Sequence, residues 1–129
     1  MLSKSADISD GRRERAGDIL TQTNATTKAI VDFLNLNGHV AFRNNTVGIW
    51  DAKKRVYRRL SQDAVGVGDV LCCLKGGHYL EIEVKTGKDK LSPKQIERGE
   101  RIIKSCGMYW TVGTFGDFNW MYDKYMTRS

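Results

Sequence analysis

Three residues, Asp69, Glu83 and Lys85, have types and a spacing suited to chemistry. In Tyr79-Leu80-Glu81-Ile82-Glu83-Val84-Lys85, alternation predicts a β-strand with Leu80, Ile82 and Val84 on one face and Tyr79, Glu81, Glu83 and Lys85 on the other. Asp69 follows Gly66-Val67-Gly68, glycines that allow close backbone approach, and opens a second strand running to Leu74. Two hairpin registers compete. With Gly76-Gly77 as a two-residue loop, Asp69 faces Val84 and is buried alone on the apolar side. With Lys75-Gly76-Gly77 as a three-residue loop, Asp69 faces Glu83, and Val70, Cys72 and Leu74 join Leu80, Ile82 and Val84. The second register satisfies both apolar sets and supplies glycine for the left-handed loop position. It sets two carboxylates about 5 Å apart at the backbone, with Lys85 about 7 Å along the strand from Glu83.

Carboxylates this close repel unless a cation or a shared proton lies between them. A hard divalent ion meets that need, and magnesium takes one or two carboxylates while keeping waters and substrate phosphate in its other positions. The Val84 carbonyl, lying between the charged residues, is a further candidate ligand. Lys85 beside such an ion is placed to orient a water, assist its deprotonation or offset charge on a phosphate under attack, which together equip the site for phosphodiester hydrolysis. The plainer alternative is a half-buried sheet with its charged face in water. Glu81, on the same face as Glu83, reads as an outer-rim charge in preference to a substitute ligand.

The elements that must position these residues follow from periodicity and punctuation. Residues 1–22 are polar, with Arg12, Arg13 and Arg15 clustered, and read as an arm or a weak helix. Thr23 or Asn24 then caps a helix whose apolar positions, Ala29, Ile30, Phe33 and Leu34 or Leu36, recur at helical spacing until Asn37-Gly38. His39–Asn44 and Val56–Leu60 read as strands of one basic hairpin, with a turn at Asp51–Lys54. After the 69–85 hairpin and a polar loop, a helix starts at Ser92-Pro93 and stops at Gly107. Tyr109–Gly113 reads as a short strand, and Phe118, Met121, Tyr122 and Tyr125 form one face of a last helix, a core face in preference to a base-stacking platform. The order predicts one α/β domain over 23–129, an α+β mixed sheet flanked by helices.

The chain of 129 residues carries 21 Lys and Arg against 15 Asp and Glu, a net +6 that favours a polyanionic partner. Arg43, Asn44, Asn45, Lys53, Lys54, Arg55, Arg58 and Arg59 concentrate that charge, and they form either a DNA-phosphate contact or a solvated hairpin. No stretch is apolar enough to span a membrane, and nothing marks the N-terminus for secretion, so a cytoplasmic location is expected. The three cysteines have no ligand spacing and read as free buried thiols without disulfide or zinc. His39 and His78 lack ligand partners and read as structural.

G-V-G-D, then E-I-E-V-K-T-G, then L-S-P-K-Q resembles the VRR-NUC branch of the PD-(D/E)xK nuclease superfamily, over about Thr23 to Val112. The resemblance implies a restriction endonuclease-like core, Asp69 and Glu83 as metal ligands, Lys85 as catalytic lysine and Gln95 as accessory polar residue. Ser92-Pro93-Lys94-Gln95 also fits a capping box, so a helix-capping role for Gln95 stands beside the active-site role. Where many relatives have an acid on the first helix, this chain has Gln22, Thr23 and Thr26, which implies one metal instead of two, or ligation through water. The expected function is a magnesium-dependent DNA endonuclease, with manganese able to substitute, acting on branched DNA such as four-way junctions. A homodimer is expected, since two strands must be cut and the chain offers one centre. A restriction-type or degradative nuclease and a catalytically dead DNA-binding module on the same fold are the alternatives.

Overall fold

The computed structural model describes residues 16–44, 50–57 and 65–128. Helix α1 spans Ala16–Leu36, so it begins well before the expected cap, and Thr23 and Asn24 lie inside it. Its buried stripe is Thr27, Ile30 and Leu34, at three- and four-residue spacing, whereas Ala29 and Leu36 face outward. The helix ends as expected: Gly38 takes a left-handed φ of 89° and the His39 N–H reaches back to the Leu34 carbonyl at 3.1 Å.

Strand β1 (Val40–Arg43) then enters the main sheet, and β2 (Trp50–Asp51) pairs with β3 (Val56–Tyr57) in a separate two-stranded ribbon. The expected basic hairpin is thus divided. Arg43 pairs with Val70 of β4 (Val70–Cys73), and the 52–55 turn joins β2 to β3 instead. Strand β5 is Tyr79–Val84, helix α2 is Pro93–Lys104, β6 is Met108–Val112 and α3 is Phe115–Arg128. The sheet order is β1-β4-β5-β6, antiparallel except for β5 and β6, which run parallel with α2 as their crossover.

The β4–β5 register is the one selected by the three-residue loop: Val70 faces Ile82 and Cys72 faces Leu80. Gly76 and Gly77 both have positive φ, and the Leu74 N–H closes on the His78 carbonyl at 2.8 Å. One face of the sheet meets α1 and α3 around Ile30, Leu34, Val70, Leu80, Ile82, Val112 and Phe118, side chains whose burial stabilises by roughly 1.5–3 kcal/mol each. Phe33 meets Phe115, Phe118 and Tyr122 edge-on, so the aromatic face of α3 is core. The other face is covered by α2. A Cβ at Gly99 would stand 2.8 Å from the Tyr109 ring, a closeness only glycine allows. Beyond the end of α2 and its Ser105 cap, Cys106 takes the left-handed conformation expected of Gly107; that glycine instead makes room for the Ile102 methyl. No helix among the described residues is long and apolar enough to cross a membrane.

Candidate active site

Asp69 lies one residue before β4, and continuing the β4–β5 register sets it opposite Glu83. The loop presenting it is packed backbone to backbone. A Cβ at Gly66 would meet the Lys94 carbonyl oxygen at 2.8 Å, and one at Gly68 would meet that of Ile82 at 2.9 Å. The Asn44 N–H donates to the Asp69 carbonyl at 2.8 Å and its side-chain amide to the Gly68 carbonyl at 3.2 Å. The Val84 N–H donates to Asp69 Oδ2 at 2.8 Å, which orients the carboxylate across the strand. In a strand a residue's N–H and C=O leave on the same side, so the Val84 carbonyl also faces the Asp69 side.

Glu83 is buried. Its Oε1 accepts from Gln95 Nε2 at 3.0 Å and lies 3.7 Å from Lys85 Nζ, while Oε2 is buried with no hydrogen-bond partner. Burial, then the Asp69 charge, pushes its pKa up to about 8 against the opposing pull of Lys85. Gln95 closes the capping box and also reaches Glu83. Its Oε1 accepts from the Ser92 N–H at 2.8 Å and its own N–H donates to Ser92 Oγ at 3.2 Å, a complete capping box, while Nε2 reaches Glu83.

Glu81 is not a rim charge. It is completely buried under α2, where Arg98 donates to Oε1 and Oε2 at 2.8 and 3.3 Å, Tyr79 donates to Oε1 and the Gly68 N–H donates to Oε2 at 2.8 Å. Burial alone would raise the Glu81 pKa, but the bonds from Arg98, Tyr79 and Gly68 outweigh it and hold it below the usual range. Burial and the bond to Glu81 push Tyr79 up to about 12.

Sequence reasoning also missed Tyr109. On β6 it faces Glu81, and its hydroxyl is buried without a partner. Its pKa is raised by burial and further by the Glu83, Glu81 and Asp69 carboxylates, so the hydroxyl lies within their field. The alternation of Tyr109 and Thr111 against Met108, Trp110 and Val112 carried a faint signal for this face.

No family model matches the chain, and no curated protein matches it. Among solved structures, one described as a VRR_NUC domain superposes with a TM-score of 0.59 at 22% identity, covering 81% of this chain and 97% of that one. The chain has the VRR_NUC fold.

On this VRR_NUC fold, Asp69, Glu83, Lys85 and Gln95 meet at one end of the β4–β5 pair. A cleft of about 500 Å³ runs beside Lys85 between Gln22 and Thr26 of α1 and Gly113, Thr114 and Asp117 at the start of α3. Asp117 caps α3, accepting from the Gly113 and Thr114 N–H groups at 3.1 and 3.2 Å. Among the described residues no cluster of three or more acidic, histidine or cysteine side chains forms. The oxygen atoms that could hold a metal there are those of the Asp69 and Glu83 carboxylates and of the Val84 carbonyl.

The basic residues divide. Arg43 bonds Asn24 of α1, and Asn44 fastens the Asp69 loop. Lys53, Lys54 and Arg55 are exposed on the β2–β3 turn, which Asp51 Oδ1 organises by accepting from the Lys53 and Lys54 N–H groups at 3.0 and 3.2 Å. Asn45, Arg58 and Arg59, with Arg12, Arg13 and Arg15, lie outside the described residues. His39 is structural: its Nδ1 accepts from the Lys75 N–H at 3.0 Å and its Nε2 lies 2.7 Å from the Tyr122 hydroxyl. All three cysteines are free, but only Cys72 is buried; Cys73 and Cys106 are exposed, against the expectation of buried thiols.

Proposed function

We propose that the protein is a metal-dependent DNA endonuclease that hydrolyses phosphodiester bonds at Asp69, Glu83 and Lys85. The observation that carries this reading is Glu83 Oε2, a buried carboxylate oxygen without a partner on the strand facing Asp69. Beside the Asp69 carboxylate such an atom is relieved by a proton when no metal is bound and by a cation once one is. The donor set is all oxygen, with two carboxylates and a carbonyl, which suits magnesium, with manganese as a substitute. When bound there, the ion supplies Lewis-acid activation of water and charge neutralisation at the phosphate.

The chain's own residues do the rest. Val84 N–H and Gln95 Nε2 orient the two carboxylates, and Lys85 Nζ, beside Glu83, donates to the phosphate oxygen on which charge builds during attack. Gln22 and Thr26 line the Lys85 cleft with neutral side chains, which favours a single ion. Branched DNA is the proposed substrate and a homodimer the proposed working form, so that two centres address two strands.

The test is a cleavage panel of linear, flap, splayed and four-way DNA with magnesium or manganese. Parent protein is expected to cut, and Asp69→Asn and Lys85→Ala to lose about 10²–10⁴-fold in rate while still folding cooperatively. Full-rate cleavage by both variants would remove the assignment. Binding without cleavage by the parent protein would favour a DNA-binding module.

A further inference from the structure

Glu83 Oε2 is not alone. Among the described residues, the Tyr109 hydroxyl is the other buried side-chain atom without a hydrogen-bond partner, and the two share one face of neighbouring strands. Tyr109 faces Glu81 in the parallel β5–β6 pairing, and Glu83 follows two residues on, about 7 Å along the strand. Helix α2 holds the ring in place: a Cβ at Gly99 would lie 2.8 Å from Tyr109 Cδ2 and 3.2 Å from Cε2. A phenylalanine would pack under Gly99 equally well and leave no buried hydroxyl unpaired. A buried, unpaired hydroxyl in that position points to a ligand that pairs with it, and a hydrated cation offers both a charge for the carboxylate and waters for the phenol.

We propose that Tyr109 is a positioning residue of the metal site, its hydroxyl bonded to a water of the hydration shell of the ion that Asp69 and Glu83 hold. This rests on the metal-site reading above. Groups that orient a metal's surroundings without touching it typically change its affinity by about 10–100-fold when removed.

The experiment compares parent and Tyr109→Phe as full chains without DNA, by calorimetric titration with manganese and by thermal melts with and without the ion. The variant is expected to bind manganese about tenfold or more weakly, with a metal-free melting temperature equal to or above the parent's, because a buried unpaired hydroxyl has been removed. In cleavage assays its half-saturating metal concentration should rise by the same factor. Unchanged manganese affinity overturns the proposal, whatever the melting curve does. Weaker binding with a lowered metal-free melting temperature overturns it as well, since the hydroxyl would then be bonded within the protein. A parent that binds no divalent ion removes the site reading and this proposal together. A parent that binds manganese but cuts no DNA removes the nuclease reading alone.

Discussion

Arg98 holds Glu81 with two N–H donors from α2, and the same Glu81 carboxylate accepts the N–H of Gly68, the residue before Asp69. A side chain on the crossover helix thereby braces the loop that presents an acid of the site. The brace is also a stability element, because Glu81 is fully buried.

Arg98→Ala should therefore lower unfolding free energy by about 3–5 kcal/mol, the usual effect of leaving one partner of a buried pair uncompensated. The sign with pH follows from the lowered Glu81 pKa. The contribution is present above the ordinary carboxylate pKa and is lost as pH falls through the folded-state value. Urea melts of parent and variant across the acid range should converge at low pH. A parallel offset at all pH values would show that the loss is packing and not charge.

Glu83 behaves oppositely. Its pKa is raised to about 8, so between the unfolded value near 4.5 and 8 the folded, metal-free chain holds a proton that the unfolded chain has released. Metal-free stability should fall as pH rises through that window and level off above it. A divalent ion needs the ionised carboxylate, so binding should release a proton below pH 8 and tighten as pH rises. Calorimetry in two buffers of different ionisation heat reads the released proton directly; equal heats at pH 7 would contradict the assignment.

The same pair of glutamates shows what the chain discloses by itself. The β4–β5 register was legible because both apolar sets and the loop glycines agree on one pairing. What covers the charged face was not, since alternation looks the same whether a face meets water or a helix. Glu81 becomes interior only because Gly99 lets α2 approach and Arg98 supplies the counter-charge. Tyr109 was hidden for a related reason: the parallel β5–β6 register depends on the crossover, and no short-range pattern encodes it. The partner of β1 is likewise a long-range choice, which is why Arg43 joins the sheet and not the basic ribbon.

Gln95 offers a way to separate folding from chemistry. Ser92→Ala removes the cap's acceptor and should cost about 0.5–2 kcal/mol in stability with little change in cleavage at full metal. Gln95→Ala removes its part of the cap and also the donor to Glu83 Oε1, so it should lose stability and cleavage together. If both variants lose cleavage only in proportion to stability, Gln95 is a helix cap and nothing more.

Lys53, Lys54 and Arg55 are exposed on a turn whose backbone is organised by Asp51, so their side chains are available to phosphate without unfolding anything. Replacing all three with alanine should weaken DNA binding and flatten its salt dependence by about 0.9 log unit for each phosphate no longer neutralised. An unchanged salt slope would return the turn to solvent.

A homodimer would have little fully exposed apolar surface on α3 to use. Of the apolar residues on α3, Phe118 and Tyr122 are in the core and Phe115, Met121 and Tyr125 are half-buried against it, leaving Trp120 at 62% and Met126 at 45% exposure. Trp120 carries Lys124 over its ring at 4.1 Å, and with Met108, Met121 and Tyr125 it lines a groove beside β6, a terminal strand of the sheet. A second copy related by a two-fold axis would cover that groove on both chains at once and set the two centres in matched orientation. Sedimentation at micromolar concentration should then report about 29 kDa, twice the 14.6 kDa chain mass, with and without DNA. Trp120→Glu, far in sequence from Asp69 and Glu83, should shift the protein to monomer while leaving manganese binding unchanged. Coordinated cutting of both strands should be lost with the dimer, and single-strand nicking should persist. A parent that sediments as a monomer in both states and still cuts two strands together would rule the dimer out.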